Sequence, residues 1–368
     1  MSEIVDFSQC YSTGYASARA RFRAAGAAVG GSLSSYTHPW AEAPSGAALS
    51  IDVCRIGDAK APRQLLAISG THGLEAAAGS AAQIGWLRSA GARALPADVS
   101  VLLVHSINPF GHAHTTRTTE NNVDLNRNFL DFSEPLPGNT GFLSLAEGLV
   151  PVDWTPDALS QLQVRFDSFA AEHGPDALFD AMAKGQYSHP TGPAYGGAAP
   201  EWSNLTLIRI ITEQMQAAEA VGLIDWHTGL GEYGDVFFLC FNEAGGALEA
   251  ETARWWGPER ILDQRPDGLA RPSYSGLVFD GVNRALGNRP MAGAVVEFGT
   301  YAAHIREALL LDLWLKYRGS PDPETTAVLR SHLCDVFVPY SAPWRRKAVA
   351  NGIRITQEAV DGLGSWSL

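Results

Sequence analysis

The chain has 368 residues, of which 46% are hydrophobic and 18% charged, and its formal net charge is −12. This length is enough to bury a large core, and the acidic balance argues against a nucleic-acid partner, which would need clustered Lys and Arg. No apolar run approaches the ~20 residues of a membrane span, and the first residues lack a basic segment followed by an apolar one. We therefore expect a cytoplasmic protein without a membrane partner.

Six apolar runs predict buried strands, and the segments between them have helical periodicity. The strands are expected at 48–57, 63–70, 99–107, 221–228, 235–242 and 293–300, and the helices at 75–90, 155–172, 203–219 and 301–317. Apolar strands alternating with helices predict an α/β fold, in which a mostly parallel mixed sheet is flanked by helices on both faces. Ligands of such sheets bind beyond the carboxyl ends of the strands.

The composition predicts one α/β domain, residues 1–368, with two additions. Residues 133–202 are rich in Pro, Gly and Tyr, and we interpret them as an insertion that helps to shape a pocket. The residues from about 318 onward are expected to be a helical C-terminal extension at the periphery. The cysteines form no CxxC pair, so we expect four reduced thiols: Cys10, Cys54, Cys240 and Cys334.

Polar side chains stand at the ends of two of the predicted strands. His72 and Glu75 follow the strand at 63–70, and His227 ends the strand at 221–228. Imidazole and carboxylate are good zinc ligands, although a His and a Glu three residues apart are also typical of a helix cap or a solvated pair. The equivalent positions of the two histidines favour a metal site. Asp225 is a candidate to orient a ligand, and its role stays open.

Glu297 closes the apolar run at 293–300. A carboxylate there is costly unless it is solvated, paired or catalytic. One interpretation is a salt bridge to Arg306. Beside two histidines and a glutamate at other strand ends, a general base is the better hypothesis, because zinc hydrolysis needs three protein ligands, a water and a nearby carboxylate.

The segment 108–129 supplies Arg117, Asn126 and Arg127 after the strand at 99–107. Arginine has the planar fork that binds carboxylates and stabilises an oxyanion. The alternative is an ordinary surface loop in which Arg117 pairs with Glu120 or Asp124.

Along the chain the motifs come in the order H-x-x-E at 72–75, then Arg117 with Asn126 and Arg127, then the strand-end His227 and the strand-end Glu297. This ordered set resembles the zinc carboxypeptidase superfamily. The sequence motifs GTHGLEAAAGSAAQ, NNVDLNRNF and DWHTGLGEYG are similar to those of an uncharacterised bacterial branch of this superfamily, which is itself similar to the succinylglutamate desuccinylase and aspartoacylase group. The resemblance covers residues 65–301. It implies one Zn²⁺ per chain, held by His72, Glu75 and His227.

The resemblance also implies roles for the remaining polar residues. Glu297 would match the general base and Arg117 the arginine that polarises the scissile carbonyl, while Asn126 and Arg127 would hold a substrate carboxylate. Arg117 and Asn126 are separated by fewer residues than their counterparts in digestive carboxypeptidases, so the resemblance is stronger to the deacylases. The mobile tyrosine of the family has no unambiguous counterpart among the candidates Tyr187, Tyr195, Tyr233 and Tyr301.

We therefore expect a zinc-dependent hydrolase that cleaves a peptide or N-acyl amino acid. An esterase, or a metal-binding or ligand-binding protein without turnover, is the alternative, and a homo-oligomer is compatible with either. Two other patterns compete. GLGEYG at 229–234 satisfies GxGxxG, but a strand rather than a helix is expected next, so we interpret its glycines as turn residues. His112 and His114 form HxH after a strand, as in metal-dependent amidohydrolase barrels. We interpret them as surface or loop histidines, and a role in substrate contact stays open.

Overall fold

Seven strands form one mixed sheet in the computed structural model, which describes residues 5–261, 273–320 and 322–367. The strands run in the order β1-β2-β4-β3-β5-β7-β6 across the sheet. Their bounds are β1 (Ser32–Glu42), β2 (Ala48–Ile56), β3 (Arg63–Ser69), β4 (Val99–His105), β5 (Ala220–Gly229), β6 (Val236–Leu239) and β7 (Met291–Gly299).

The four central strands, β4, β3, β5 and β7, are mutually parallel. The pairings of β1 with β2, β2 with β4 and β6 with β7 are antiparallel. The predicted α/β fold class is confirmed, and each of the six apolar runs contains a strand. Strand β1 was not predicted, because it is an edge strand whose polar sequence, SLSSYTHPWAE, leaves most residues at least partly exposed.

In the part of the chain that the structure describes, twelve α-helices surround the sheet. They are α1 (Tyr15–Ala28), α2 (Ala76–Arg88), α3 (Pro109–His114), α4 (Thr140–Leu145), α5 (Pro156–His173), α6 (Pro175–Ala183), α7 (Trp202–Gln214), α8 (Ala247–Trp256), α9 (Val278–Leu286), α10 (Ile305–Tyr317), α11 (Pro323–Phe337) and α12 (Ala342–Gly364). The four helices predicted from periodicity correspond to α2, α5, α7 and α10.

Alternation along the strands divides the core into two layers. On β5, Ile224 and Trp226 face the layer formed with α1, α2, α8 and α12. Val221 and Leu223 face the opposite layer, formed with α7 and α9. Because both faces are covered, every residue of β5 is buried, which explains its continuous apolar sequence.

Helix α12 is a central element of the first layer, so the peripheral position expected for the final residues is wrong for this helix. Its Ile355, Val360 and Leu363 are fully buried in the core. It packs closely on α2, since a Cβ added to Gly352 would lie only 2.5 Å from the Cβ of Ala82. The small residues of α2 therefore fit this helix contact.

Helices α4, α5 and α6 lie within residues 133–202 and have a hydrophobic cluster of their own. Phe142, Phe166 and Leu178 form part of this cluster, which is completed by Leu310 and Leu313 of α10. The region is thus attached to the helix that follows β7. Its status as an insertion stays a prediction.

Among the described residues, no helix is both long enough and apolar enough to cross a membrane. The four cysteines are thiols, as expected.

His105, the last residue of β4, is a fully buried imidazole. Its ring stacks on Phe22 at a centroid distance of 4.5 Å, and its Nε2 lies 2.9 Å from the Ser80 hydroxyl. Its Nδ1 has no hydrogen-bond partner. Burial, aided by the neighbouring His112, lowers the pKa of His105 to about 3. The folded protein therefore holds this ring neutral.

We expect His105 to make the fold sensitive to acid. Its pKa in the unfolded chain is about 6.5, so below that pH the unfolded chain binds a proton that the folded protein refuses. Stability is lost as the pH falls from about 6.5 toward 3. Between pH 7 and 5, this residue contributes roughly 2 kcal/mol of that loss. Denaturant unfolding of His105→Gln at both pH values should show a correspondingly smaller loss than the wild type.

His173→Gln provides the control, because this side chain is 45% exposed at the end of α5. An equal pH dependence in the wild type and His105→Gln would contradict the assignment.

Candidate metal centre

The candidate site lies at the carboxyl ends of the four parallel strands. His72 follows β3, His227 is part of the end of β5 and Glu297 lies at the end of β7. Arg117 lies in the segment that follows β4. Because these strands are adjacent and parallel, their ends meet at one edge of the sheet.

Three predicted ligands converge within this site. One ligand atom each from His72, Glu75 and His227 can be chosen so that all three atoms lie within 4.8 Å of one another. The His72 Nδ1 is 2.8 Å from Glu75 Oε1 and 3.1 Å from His227 Nδ1, and the latter is 3.1 Å from Glu75 Oε2. All three side chains are buried. Two imidazole nitrogens and a carboxylate form a donor set that suits Zn²⁺.

Asp225 orients His227 from the same strand. Alternation places both side chains on one face of β5, and Asp225 Oδ2 accepts a hydrogen bond from His227 Nε2 at 2.9 Å. The other carboxylate oxygen accepts from the Thr71 hydroxyl at 2.8 Å. With its proton on Nε2, His227 presents Nδ1 as a lone pair toward Glu75 and His72. Asp225, whose role the sequence left open, therefore holds the ring of the candidate ligand His227 by a hydrogen bond.

His72 has a carboxylate and a guanidinium at its other ring nitrogen. Its Nε2 lies 3.1 Å from Asp124 Oδ1 and 2.8 Å from Arg117 Nη2. If the proton is on Nε2, the ring donates to Asp124 and its Nδ1 is a lone pair. If the proton is on Nδ1, the ring donates to Glu75 and accepts from Arg117. The first tautomer is the one in which both candidate His ligands offer Nδ1.

The buried cluster carries more negative than positive charge. Glu75, Asp124 and Asp225 are at most 2% exposed, and Arg117 is the cation that pairs with Glu75 and Asp124, at 2.9 and 3.2 Å. With neutral imidazoles, a divalent cation balances this group of charges. Burial alone would lower the pKa of His227, but the nearby Asp225 and Glu75 raise it well above its usual value.

Glu297 stands beside the three ligands without belonging to the cluster. Its Cα pairs in register with that of His227 across β5 and β7, so both side chains lie on the same face. Its Oε2 accepts a hydrogen bond from the main-chain N–H of Leu230 at 3.3 Å. Burial, together with the charge of Glu75, raises the pKa of Glu297 to about 7. Its suggested salt bridge to Arg306 is not formed, because Arg306 bonds Gln163 and lies over Phe166.

The segment that carries Arg117 is held against His72 by a close backbone contact. A Cβ added to Gly73 would lie 2.0 Å from the carbonyl carbon of Gly111, so the two chains approach as they do only because Gly73 has no side chain. The Gly73 N–H donates to the Arg117 carbonyl oxygen at 3.0 Å. Arg117 pairs with Asp124, as the alternative interpretation suggested, but the segment is largely buried rather than a surface loop.

Helix α10 holds the same segment from the other side. Asp312 accepts hydrogen bonds from the Thr116 hydroxyl, at 2.8 Å, and from the Arg117 main-chain N–H, at 2.9 Å. One turn later, the Lys316 ammonium donates to Thr118 and Asn122. The backbone of Arg117 is thus fixed on both sides by buried polar contacts.

Asn126 and Arg127 lie close to the cluster but are engaged with the main chain. Asn126 Oδ1 accepts from the Val278 N–H at 2.9 Å. Arg127 uses three of its five N–H groups to donate to the carbonyl oxygens of Ala183 and Asn126. Their predicted contact with a substrate carboxylate stays a prediction.

The candidate tyrosines differ in their contacts. The Tyr187 hydroxyl donates to the Arg127 carbonyl oxygen, and Tyr195 is buried, with its carbonyl accepting from the Asp124 N–H. Tyr233 and Tyr301 contact each other at a centroid distance of 5.1 Å. None of these contacts selects one residue as the mobile tyrosine.

The two competing patterns have clear structural outcomes. The GLGEYG turn leads into β6, so no helix follows it, as expected. His112 is buried on α3, and its Nδ1 lies 2.8 Å from the Ser106 hydroxyl. The expectation of a surface position is therefore wrong for His112, because α3 packs against α1 and β2, with the His112 ring in an edge-on contact with that of Tyr15. His114 is partly exposed.

A protein-family model matches most of the chain. Residues 11–351 match the family described as "Protein of unknown function (DUF2817)". The chain belongs to the DUF2817 family. No curated protein matches this DUF2817 chain. The description of the family assigns no activity, so membership by itself does not identify the chemistry of the site.

Three solved structures illustrate what the DUF2817 chain is similar to. Bovine thrombin-activatable fibrinolysis inhibitor, in complex with tick carboxypeptidase inhibitor, is 10% identical with a TM-score of 0.49 (97% of this chain and 99% of that chain covered). A metallo-carboxypeptidase from Pseudomonas aeruginosa is 12% identical with a TM-score of 0.46 (94% and 68%). Carboxypeptidase A from Helicoverpa armigera is 14% identical with a TM-score of 0.45 (90% and 75%). At identities this low, roles of single residues do not transfer to the DUF2817 chain.

The sequence did not predict three polar contacts that hold the site. Asp124 contacts His72, Thr71 donates to Asp225, and Asp312 accepts from the main-chain N–H of Arg117. A signal existed for Asp124, in the polar turn DLNR, and for Thr71, which directly precedes His72. Asp312 lies within an apolar helix nearly two hundred residues from Arg117, so no local pattern relates the two.

We expect Asp225→Asn to weaken divalent-metal binding. The amide that replaces the carboxylate no longer fixes His227 with its proton on Nε2, and loss of such a partner typically costs roughly 10- to 100-fold in metal affinity. Competition titration with a chromogenic zinc chelator measures the change. Asp235→Asn is the matched control, because this Asp is 56% exposed and pairs with Lys347. An unchanged zinc affinity in Asp225→Asn would rule out the proposed orientation.

Proposed function

We propose that this chain is a zinc-dependent hydrolase that cleaves an amide bond in a small substrate carrying a carboxylate, such as a short peptide or an N-acyl amino acid. One observation supports this above all. His72, Glu75 and His227 present converging, buried ligand atoms in a cluster that carries more negative than positive charge. A fourth carboxyl group, that of Glu297, stands beside them on the same face of the sheet.

The residues around this cluster match what hydrolysis requires. A divalent ion held by His72, Glu75 and His227 would supply Lewis acidity toward a carbonyl group and acidity to a water molecule. Glu297 takes the proton of the attacking water and returns it to the leaving amine. Its pKa, raised to about 7 by burial, suits proton transfer in both directions near neutral pH.

Arg117 supplies positive charge next to the ligands. Its guanidinium contacts Glu75, Asp124 and His72, and its side chain retains 17% exposure. A fixed, partly accessible cation is suited to stabilising the oxyanion that forms during attack on a carbonyl. The N–H groups of Arg127 that do not bond main-chain carbonyls support a carboxylate on the substrate.

The direct test combines metal analysis with a substrate screen. Protein purified without added zinc should contain about one zinc ion per chain, and it should hydrolyse members of a panel of N-acyl amino acids and dipeptides in a chelator-sensitive manner. Activity toward esters alone would identify an esterase. Stoichiometric metal without turnover of any amide or ester would identify a metal-binding protein. A chain that binds no divalent metal, even on titration, would overturn the proposal.

Glu297→Gln should retain the metal and lose most of the turnover. The amide is close in size to the carboxylate but cannot accept the proton of water, so kcat should fall by roughly 100-fold or more. Steady-state kinetics on a substrate from the screen, together with zinc analysis, measure both effects. Glu172→Gln is the control, since the Glu172 side chain is 76% exposed. Full activity of Glu297→Gln would show that another group is the base.

Asp312→Ala should lower kcat while leaving KM and metal content nearly unchanged. The substitution removes the one oxygen, Oδ2, that accepts the hydrogen bonds from both Thr116 and Arg117, so the backbone of Arg117 shifts, and displacements of about 1 Å can cost roughly 100-fold in rate. Asp153→Ala is the control, because Asp153 is exposed. If Asp312→Ala retains wild-type kcat, the clamp formed by α10 has no part in placing Arg117.

A further inference from the structure

A cavity of about 390 Å³ lies between the N-terminal segment of the described chain and the start of α12. It includes none of the residues of the metal centre. Its lining residues come from the N-terminal segment, α1 and the beginning of α12: Phe7, Ser8, Tyr11, Ser12, Thr13, Ser17, Arg21, Tyr340, Ala342 and Arg345. We call this the N-terminal cavity.

Its lining is strongly biased toward hydrogen-bond donors. Two arginines and six hydroxyl side chains line the N-terminal cavity, and its lining contains no Asp or Glu. This is unusual in a chain whose net charge is −12. Neither Arg21 nor Arg345 forms an ion pair within residues 5–261, 273–320 and 322–367. A lining of this kind favours an anion over a cation or a neutral ligand.

Arg345 is held in place without a carboxylate. Its guanidinium carbon lies 4.8 Å from the ring centre of Tyr11 and 5.2 Å from that of Tyr340, and its Nε donates to the Pro339 carbonyl oxygen at 2.9 Å. The two rings restrict the guanidinium, so less conformational entropy is lost when it binds a ligand. Arg21 is fixed by a donation to the Gln9 carbonyl oxygen at 2.9 Å.

The Tyr11 and Ser12 hydroxyls lie behind the lining of the N-terminal cavity. Both atoms are shielded from solvent, and neither forms a hydrogen bond among the described residues, so a ligand in the cavity does not reach them. The groups that the cavity offers to an anion are therefore the guanidinium groups of Arg21 and Arg345.

We propose that the N-terminal cavity binds a small oxyanion, namely the phosphate or carboxylate group of a metabolite, through the guanidinium groups of Arg345 and Arg21. The guanidinium forks match the oxygens of either group. The volume accommodates a ligand larger than the anionic group alone. The site is independent of the proposed hydrolase activity, since none of its residues takes part in that chemistry.

The experiment is calorimetric titration of the full chain, with inorganic phosphate and with citrate as separate probes. We expect saturable binding of at least one probe in the micromolar to millimolar range, and the stronger of the two identifies the favoured anionic group. Arg345→Gln should weaken that binding roughly tenfold or more, as expected for the loss of charged hydrogen bonds. Arg93→Gln, an exposed arginine on the other side of α2, should bind as the wild type does.

Arg21→Gln separates ligand binding from folding. Arg21 is exposed and forms no ion pair among the described residues, so the Tm without ligand should stay close to that of the wild type, while affinity for the probe falls several-fold. This variant decides the question even if Arg345→Gln does not fold. Absence of binding by both probes would overturn the proposal. So would equal binding in the wild type and both variants, which would place the anion elsewhere, such as at a metal ion.

Discussion

The buried excess of negative charge is the constraint on which the site depends. Carboxylates that are almost inaccessible to water are tolerated only where cations or hydrogen-bond donors balance them. Arg117 supplies one positive charge, and Thr71 and the Thr228 N–H donate to Asp225 and Glu75. The negative charge that remains raises the pKa of His227, against the effect of its burial. A cluster with these properties is unfavourable as a mere structural core, but it suits a cation that the two rings and Glu75 can bind together.

The sheet solves the problem of assembling this cluster from distant parts of the chain. The central strands β3, β5 and β7 bring His72, His227 and Glu297 together at their carboxyl ends, whereas Arg117 comes from the long segment that follows β4. The segment after β4 still has to approach the turn after β3, and it does so through the glycine contact at Gly73 and Gly111. Helix α10 then fixes it from outside through Asp312 and Lys316. Of the candidate ligands, His227 lies on a strand and His72 and Glu75 lie in the turn after β3, whereas Arg117 lies in a loop that α10 holds in place.

The sequence allowed the strand-end residues to be predicted, because continuous apolar runs make a polar residue at their end conspicuous. It also predicted the alternation that places Asp225 beside His227, but not whether that proximity mattered. Residues within helices and turns were harder. Asp312 and His112 lie among residues whose local pattern is typical of an ordinary helix, and their partners come from remote segments. Strand β1 and the central position of α12 were not predicted either. The pairing of an edge strand and the burial of a last helix both depend on remote segments of the chain and not on the local sequence pattern.

The pairing of His227 with Glu297 has a consequence for how the protein folds. Successive residues of a strand point to opposite faces, so a displacement of β7 by one position would turn the Glu297 carboxyl into the apolar layer beneath α2 and α12. Such a mispaired chain would bury a charge against hydrocarbon and would leave the candidate ligands without Glu297 beside them. Because β6 also pairs with β7, the same displacement would disturb the pairing on the other side of the strand, so the candidate site and the edge of the sheet depend on one register.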